Sequence, residues 1–186
     1  EEVRKGSLDH HYIHDLSTNS LPVDLDTATH ILLLDVVEHM PDPEEFVLDL
    51  RRASGNNHDA EWIVSTGNVA FFVVRFMLLL GAFNYGKRGI LDLTHKRLFT
   101  FSTIQKLFEE RGFQIQEIRG IPAPFPIAMG DTLLSRFLLK SNRALIRLSR
   151  GLFSYQILLR LKTLPTVDTL LADAIEKSDS RRREVS

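Results

Sequence analysis

Residues 30–43 read HILLLDVVEHMPDP, and this stretch decides the fold. The apolar run from Ile31 to Leu34 ends at Asp35, which is typical of a short strand buried on both faces of a parallel sheet. Asp42 is a favourable helix N-cap and Pro43 a favourable first helical residue, so a helix is expected to begin there. The stretch predicts a strand, a short polar turn and a helix, which together make one unit of an α/β fold.

Similar units are expected before and after this stretch. Residues 12–14 are a short extended candidate, and residues 61–66, which read EWIVST, predict a further strand. Ser102 with Gln105 fits a capping box at the start of another helix, and residues 113–121 predict the strand that follows it. The alternation of strands and helices predicts an α/β domain with a mainly parallel sheet over residues 1–127.

Residues 69–83 form the longest apolar stretch of the chain. The stretch contains Arg75 and falls short of the ~20 residues that a membrane-spanning helix needs. It therefore predicts a buried helix or an interfacial element.

The character of the chain changes from Asp131 onward, and residues 128–186 are expected to form a helical C-terminal extension with a frayed tail. A second helical segment is predicted over residues 153–162. One stripe of the first helix is basic, with Arg136, Lys140, Arg143, Arg147 and Arg150. The opposite side is apolar and is expected to face the core, with Leu134, Leu138, Leu145, Leu148 and Leu152. The basic stripe is a solvated face, a contact with an anionic membrane surface, or part of a lid whose Arg residues face an anionic substrate in the acceptor pocket.

Composition excludes several classes of protein. The 186 residues carry 23 Lys and Arg against 24 Asp and Glu, a balance that argues against a nucleic-acid partner. The absence of cysteine excludes disulfides, cysteine nucleophiles and thiolate zinc sites. His10, His11 and His14 have a spacing that resembles a metal site, but they lie in an edge segment without a carboxylate cage, so no metal site is predicted there. Residues 1–5 show no signal-peptide pattern, which favours a cytoplasmic protein, with peripheral membrane contact as an alternative. The sequence does not indicate an oligomeric state.

Polar residues follow three of the predicted strands. Asp15 comes after the first, residues 35–39 after the second, and residues 66–68 after the third. In open α/β sheets, ligands bind beyond the carboxyl ends of the strands. A ligand site is therefore expected at this edge of the sheet.

Three motifs resemble a known family. Residues 34–43, LDVVEHMPDP, resemble the motif after strand 4 of class I S-adenosylmethionine (SAM)-dependent methyltransferases, with the closest resemblance to the ubiquinone-biosynthesis O-methyltransferase-like group. Residues 63–69, IVSTGNV, resemble the strand-5 motif of that group, with Gly67 where the group often has proline. Tyr85 and residues 89–100, GILDLTHKRLFT, resemble a signature of methyltransferase-domain proteins that are often associated with sugar and glycolipid pathways. The resemblance implies a partial Rossmann-like sheet, strands 3 to 6 of the family fold.

The resemblance also implies SAM as the cofactor. Asp15 would accept a hydrogen bond from the adenine amino group, with Leu16 beside it. Asp35 and Val36 would line the methionine portion of the cofactor.

The resemblance further implies a methyltransferase reaction, with O-methylation favoured over N-methylation. His39 would be the general base that removes a proton from the acceptor hydroxyl, since an imidazole pKa near ~6.5 suits that task. Glu38 would orient His39 or, alternatively, bind a divalent cation. A small-molecule acceptor, sugar-linked or lipid-linked, would bind at Tyr85, His95 and Arg97. The alternative for Arg97 is an ion pair with Asp92 that fixes the loop.

The sequence departs from the family in one respect, because it contains no G-x-G-x-G. Family members bind the cofactor at such a loop, where the backbone approaches the ligand closely. The expectation is a methyltransferase truncated at its N-terminus, with strands 1 and 2 upstream of residue 1 and an inactive chain as it stands. Two alternatives remain: a non-catalytic remnant that serves as a binding module, and a peripheral membrane protein.

Overall fold

The computed structural model describes residues 13, 15–16, 25–165, 170–171 and 175 of the chain. A four-stranded sheet forms its centre, in the order β1-β2-β4-β3. The strands are β1 (His30–Leu34), β2 (Glu61–Gly67), β3 (Phe113–Ile121) and β4 (Gln156–Thr163). β1 and β2 pair in parallel, whereas β4 is antiparallel to both of its neighbours, β2 and β3. The predicted α/β class is confirmed, but the prediction of a mainly parallel sheet is wrong for the described strands, because only one of their three pairings is parallel. Of the extended candidate at residues 12–14, only Ile13 lies within the described residues.

β4 corrects the prediction of a helical segment over residues 153–162. Its residues alternate between the two faces of the sheet, and Ile157, Leu159 and Leu161 are fully buried on one of them. The pattern is hard to recognise in the sequence because Leu158 is apolar as well and breaks the alternation. β4 fills the position between β2 and β3, so part of the predicted extension belongs to the main sheet.

Besides a short 3-10 helix at Val37–His39, six α-helices accompany the sheet in the described part of the chain. They are α1 (Pro43–Ala53), α2 (Phe72–Leu79), α3 (Phe101–Glu109), α4 (Phe125–Met129), α5 (Leu133–Leu148) and α6 (Arg150–Phe153). α1 begins as predicted, because Asp42 Oδ1 accepts a hydrogen bond from the Glu45 N–H at 2.9 Å. The prediction for α3 is wrong by two residues: Thr100, not Ser102, is the N-cap, and Thr103 completes the capping box.

The main core lies between the sheet and helices α1 and α3. Trp62 of β2 and Phe108 of α3 both pack edge-to-face on Phe113 of β3, each with ring centroids 5.3 Å apart. A second, smaller cluster joins the start of α2 to the loop that precedes α3, through Phe71, Val74, Ile90, Leu91 and Ala123. These two clusters fix the elements that surround the site described below.

Apolar surface is more exposed than the sequence predicts. Leu32 and Leu34 of β1 are more than half exposed, so within the described residues this strand is not buried on both faces. α2 buries Val74 alone, which contradicts the prediction of a buried helix over residues 69–83. None of the helices in the described ranges is long and apolar enough to cross a membrane.

α5 also presents a different face to the core from the one predicted. Its buried residues are Ser135 and Asn142, whereas Leu134, Leu145 and Leu148 are exposed. The reason is a pair of hydrogen bonds: Asn142 Oδ1 accepts from the Ala123 N–H at 3.0 Å, and Asn142 Nδ2 donates to the Phe153 carbonyl at 2.9 Å. These bonds turn the polar Asn142 inward and leave much of the leucine stripe at the surface.

Candidate active site

A cleft of about 290 Å³ opens at the carboxyl ends of β1 and β2, where the sequence predicts a ligand site. The loop over residues 88–95 and the first residue of β4 also contribute to its lining. The cleft is lined by Asp35, Glu38, His39, Gly67, Arg88, Gly89, Ile90, Asp92, His95, Tyr155 and Gln156.

Asp35 places an exposed carboxylate in this cleft. Its backbone has φ 54°, in the left-handed region that residues other than glycine rarely adopt. The Asp35 N–H donates to both the carbonyl and the hydroxyl of Ser65, each at 3.1 Å. Gln156 Nε2 donates to the two carboxylate oxygens at 3.0 and 2.9 Å. The strained turn costs about 1–3 kcal/mol, and such strain is concentrated at functional sites.

Two histidines meet at the other side of the cleft. The rings of His39 and His95 pack edge-to-face with centroids 4.8 Å apart. His39 Nδ1 lies 3.3 Å from the Thr94 carbonyl, and His95 Nδ1 lies 2.9 Å from the Ile90 carbonyl. A carbonyl can only accept a hydrogen bond, so each Nδ1 is the donor and each neutral ring keeps the lone pair on Nε2. The group that orients His39 is thus the Thr94 carbonyl, not Glu38 as the sequence suggested.

Glu38 is buried beside these histidines. It is only 2% exposed, and its Oε2 has no hydrogen-bond partner within the described residues. Burial raises the pKa of the Glu38 carboxyl, and the negative charge of Asp35 raises it further. The Glu38 carbonyl accepts hydrogen bonds from the N–H groups of Lys96 and Arg97 at 2.8 and 3.1 Å. These bonds hold the turn after β1 against the loop that carries His95.

Glu38, His39 and His95 together form a donor set that could hold a metal ion. Their ligand atoms lie within 4.8 Å of one another. Two imidazole nitrogens and a carboxylate oxygen suit several divalent transition metals. Ligands bound at about 2.1 Å from zinc stand about 3.4 Å apart, so the three side chains would need to close slightly around an ion. The sequence pointed to Glu38 as an alternative ligand, but the distance of His95 along the chain concealed the cluster.

Tyr155 and Gln156 are cleft residues that the sequence analysis missed. Burial raises the pKa of the Tyr155 hydroxyl, and its ring packs edge-to-face on Phe71 with centroids 5.8 Å apart. A Cβ at Gly89 would lie 3.0 Å from that hydroxyl, which explains the glycine at this position, where φ is +97°. Gln156 begins β4 and Tyr155 directly precedes it; the sequence predicted both as helix, so their place in the site was not apparent.

Five of the residues assigned to the site by resemblance do not line the cleft: Asp15, Leu16, Val36, Tyr85 and Arg97. Asp15 is exposed, and Leu16 and Val36 pack against the main core. The Tyr85 ring contacts Phe83, with centroids 5.4 Å apart.

Arg97 forms two hydrogen bonds with the Glu44 carboxylate, at 3.0 and 2.8 Å. The predicted ion pair between Arg97 and Asp92 is therefore wrong. Asp92 instead accepts hydrogen bonds from the Thr94 N–H and hydroxyl, at 2.8 and 2.7 Å. These bonds lower the pKa of Asp92.

No protein-family model matches the sequence, and no curated protein matches it. Among solved structures, a SAM-dependent methyltransferase from Thermotoga maritima is similar at 12% identity and TM-score 0.48, over 76% of this chain and 58% of that one. A SAM-dependent methyltransferase from Archaeoglobus fulgidus is similar at 14% identity and TM-score 0.44, over 73% and 59% of the two chains. The [4+2]-cyclase SpnF is similar at 9% identity and TM-score 0.44, over 83% and 56%. The chain thus spans less than two thirds of the length of these three proteins, and its activity has to be argued from its own residues.

Proposed function

We propose that this chain belongs to a SAM-dependent methyltransferase that methylates a hydroxyl group. The observation that carries the proposal is the cleft itself, which Asp35, His39 and His95 line together. The resemblance of residues 34–43 to a methyltransferase motif supports the same assignment.

The cleft residues fit one end of SAM. The exposed Asp35 carboxylate is a suitable partner for the amino group of the methionine portion. Asp15, the residue assigned to the adenine, does not line the cleft. When bound, SAM supplies a methyl group already activated by the positive sulfonium, so the protein mainly has to align the acceptor and remove its proton.

In the proposed mechanism, His39 removes the hydroxyl proton. The proton moves from the acceptor oxygen to His39 Nε2, while His39 Nδ1–H stays bound to the Thr94 carbonyl. The carbonyl stabilises the imidazolium that forms, and the nearby Glu38 carboxylate does so when it is ionised. His95 Nε2 can accept a hydrogen bond from the same hydroxyl and orient it.

The cluster of Glu38, His39 and His95 favours a second role for the same residues. If the three side chains hold a divalent cation, the ion would lower the pKa of a hydroxyl bound to it. His39 would then be a ligand and not the base. The two roles predict different effects of a chelator on turnover: a base does not need the ion, whereas a metal ligand does.

Cofactor binding tests the assignment. If the gene encodes a glycine-rich loop before residue 1, its longer product is titrated calorimetrically with S-adenosylhomocysteine, and micromolar binding is expected. Asp35→Asn should weaken it by about tenfold or more, since a charge-assisted hydrogen bond contributes roughly 1.5–3 kcal/mol. The matched control is Asp49→Asn on α1, an acid paired with Arg52 and outside the cleft. Absence of binding would favour the non-catalytic binding module.

Turnover tests the mechanism. Methyl transfer is measured on a panel of sugar, phenol and lipid-linked hydroxyls, and His39→Ala should lower turnover by about a hundredfold or more without weakening cofactor binding. His30→Ala, at the opposite end of β1, is the control. Turnover that survives a chelator assigns His39 as the base, whereas turnover lost to the chelator and restored by a divalent cation assigns it as a ligand. Normal turnover of His39→Ala would remove His39 from the reaction.

A further inference from the structure

Charge is distributed unevenly along this nearly neutral chain. Residues 62–91 and residues 132–167 contain no Asp or Glu at all. The first segment carries Arg75, Lys87 and Arg88, and the second carries Arg136, Lys140, Arg143, Arg147, Arg150, Arg160 and Lys162. The acidic residues that balance these charges lie elsewhere in the sequence.

The fold brings the two acid-free segments together. β2 of the first segment pairs with β4 of the second. The ring of Phe72, at the start of α2, packs against that of Phe153 in α6 with centroids 5.8 Å apart. Asn68 Nδ2 donates to the carbonyls of Gly151 and Ser154 at 2.9 and 2.8 Å. α2 and the α5–α6 pair therefore lie at the same end of the sheet.

α5 exposes a basic stripe and an apolar stripe side by side. At about 3.6 residues per turn, Lys140, Arg143 and Arg147 lie along one line of the helix. Next to them runs an exposed line that includes Phe137 and Leu148, which are 65% and 80% exposed. Arg136 pairs with Asp131, but Lys140, Arg143 and Arg147 form no salt bridge within the described ranges.

α2 adds a second exposed apolar surface. Phe72, Val73, Phe76 and Leu79 line an open groove together with Arg75. Leu79 is 81% exposed. Contiguous apolar surface of this kind, bordered by charged groups, is typical of an interaction site.

We propose that α2 and α5 form a docking surface for an anionic lipid bilayer. Their apolar side chains would enter the boundary between headgroups and acyl chains, and the basic stripe of α5 would face the anionic headgroups. Charge favours this occupant over a second copy of the chain. A twofold contact places the same patch of both copies together, so the unpaired stripes of Lys140, Arg143 and Arg147 would repel each other. The proposal is independent of the reaction proposed for the cleft.

Vesicle co-sedimentation tests the proposal with the 186-residue chain. The chain should sediment with vesicles of phosphatidylcholine and phosphatidylglycerol, and at least about tenfold less with phosphatidylcholine alone. Added salt should weaken the binding, because the Debye length falls below about 10 Å above 0.1 M salt. Equal binding to both vesicles, or binding to neither, would overturn the proposal.

Paired variants locate the surface. Arg143→Glu with Arg147→Glu should lower binding to the anionic vesicles about tenfold or more, whereas Arg52→Glu with Lys106→Glu, an equal charge change on α1 and α3, should not. Phe76→Ser with Leu148→Ser should also lower binding to the anionic vesicles. These positions are exposed, and circular dichroism verifies that each variant is folded.

Sedimentation equilibrium, measured without lipid, tests whether a second copy of the chain covers this surface instead. A dimer that Phe76→Ser with Leu148→Ser converts to a monomer, combined with no vesicle binding by the original chain, would assign the surface to a second copy. Vesicle binding that these variants leave unchanged would equally overturn the proposal.

Discussion

Glu38 combines deep burial with a carboxylate oxygen that has no partner among the described residues. Burial makes its pKa higher in the folded state than in the unfolded chain. A carboxyl of this kind favours folding while it is protonated. Its contribution is lost as the pH rises from the usual glutamate range through the raised folded pKa, which is the reverse of the behaviour of a salt-bridged acid.

Glu38→Gln should therefore gain stability relative to the original protein as the pH rises, because a neutral amide of the same shape replaces a carboxyl whose ionisation is opposed by burial. We expect the free energy of unfolding at pH 7 to rise by about 1 kcal/mol or more, and the difference to shrink at pH 4. Urea denaturation at the two pH values measures both effects. Glu45→Gln is the control, since Glu45 is exposed and paired with Arg52. Loss of stability at pH 7 would mean that the ionised carboxylate has a favourable partner, either a protonated histidine or a bound cation.

At the scale of single residues, the sequence could predict which residue types stand in the site but not which groups they contact. Asp35, Glu38 and His39 follow one strand, and that placement is local information. The groups that give them their chemistry come from distant residues: Thr94 and Ile90 fix the histidine tautomers, and Gln156 binds Asp35. Such contacts depend on how the loops fold, which a local pattern does not encode.

Elements were predictable where their signals are local. The cap at Asp42 and the start of α1 depend on residues within one turn, and they are confirmed. β4 was missed because its burial depends on its neighbours β2 and β3, while Leu158 interrupts the alternation of apolar and polar residues in its own sequence. The start of α3 was displaced because two overlapping sets of residues both resemble a capping box.

Substitution of the two candidate N-cap residues, Thr100 and Ser102, shows which of them caps α3. Thr100→Ala should lower the free energy of unfolding by about 1 kcal/mol, because the Thr100 hydroxyl accepts a hydrogen bond from the Thr103 N–H at the first turn of α3. Ser102→Ala should cost at most about 0.5 kcal/mol, as expected for an exposed position. Chemical denaturation of both variants provides the comparison. A larger loss for Ser102→Ala would restore the cap that the sequence predicted.

Asn142→Ala should loosen α5 from the segment after β3 and from α6. The Ala123 N–H and the Phe153 carbonyl would each lose a buried partner, and we expect a loss of about 1–3 kcal/mol in the free energy of unfolding. Ser141→Ala, at the adjacent position of the same helix, is the control. Urea denaturation measures the change, and faster hydrogen exchange in α5 would locate it. Equal stability of the two variants would show that Asn142 does not hold this helix.

At the scale of the whole molecule, the cleft is assembled from four parts of the chain: the ends of β1 and β2, the loop over residues 88–95, and the start of β4. The first two were predictable, because the carboxyl ends of adjacent parallel strands meet at one edge of a sheet. The loop was recognised by resemblance, although of its proposed acceptor residues only His95 lines the cleft. The contribution of β4 required the sheet order, which no local signal in the sequence reveals.

This assembly predicts how the 186-residue chain itself responds to SAM. The sequence has no G-x-G-x-G, and the cleft offers a partner for the methionine end alone. One charge-assisted contact contributes roughly 1.5–3 kcal/mol, which does not offset the ~4–15 kcal/mol of freedom that association removes. Calorimetric titration of the chain should therefore show no measurable heat, while a SAM-dependent methyltransferase that has the glycine-rich loop binds the same stock. Micromolar binding by the chain would contradict the prediction, because residues of this chain would then have to hold the adenosine as well.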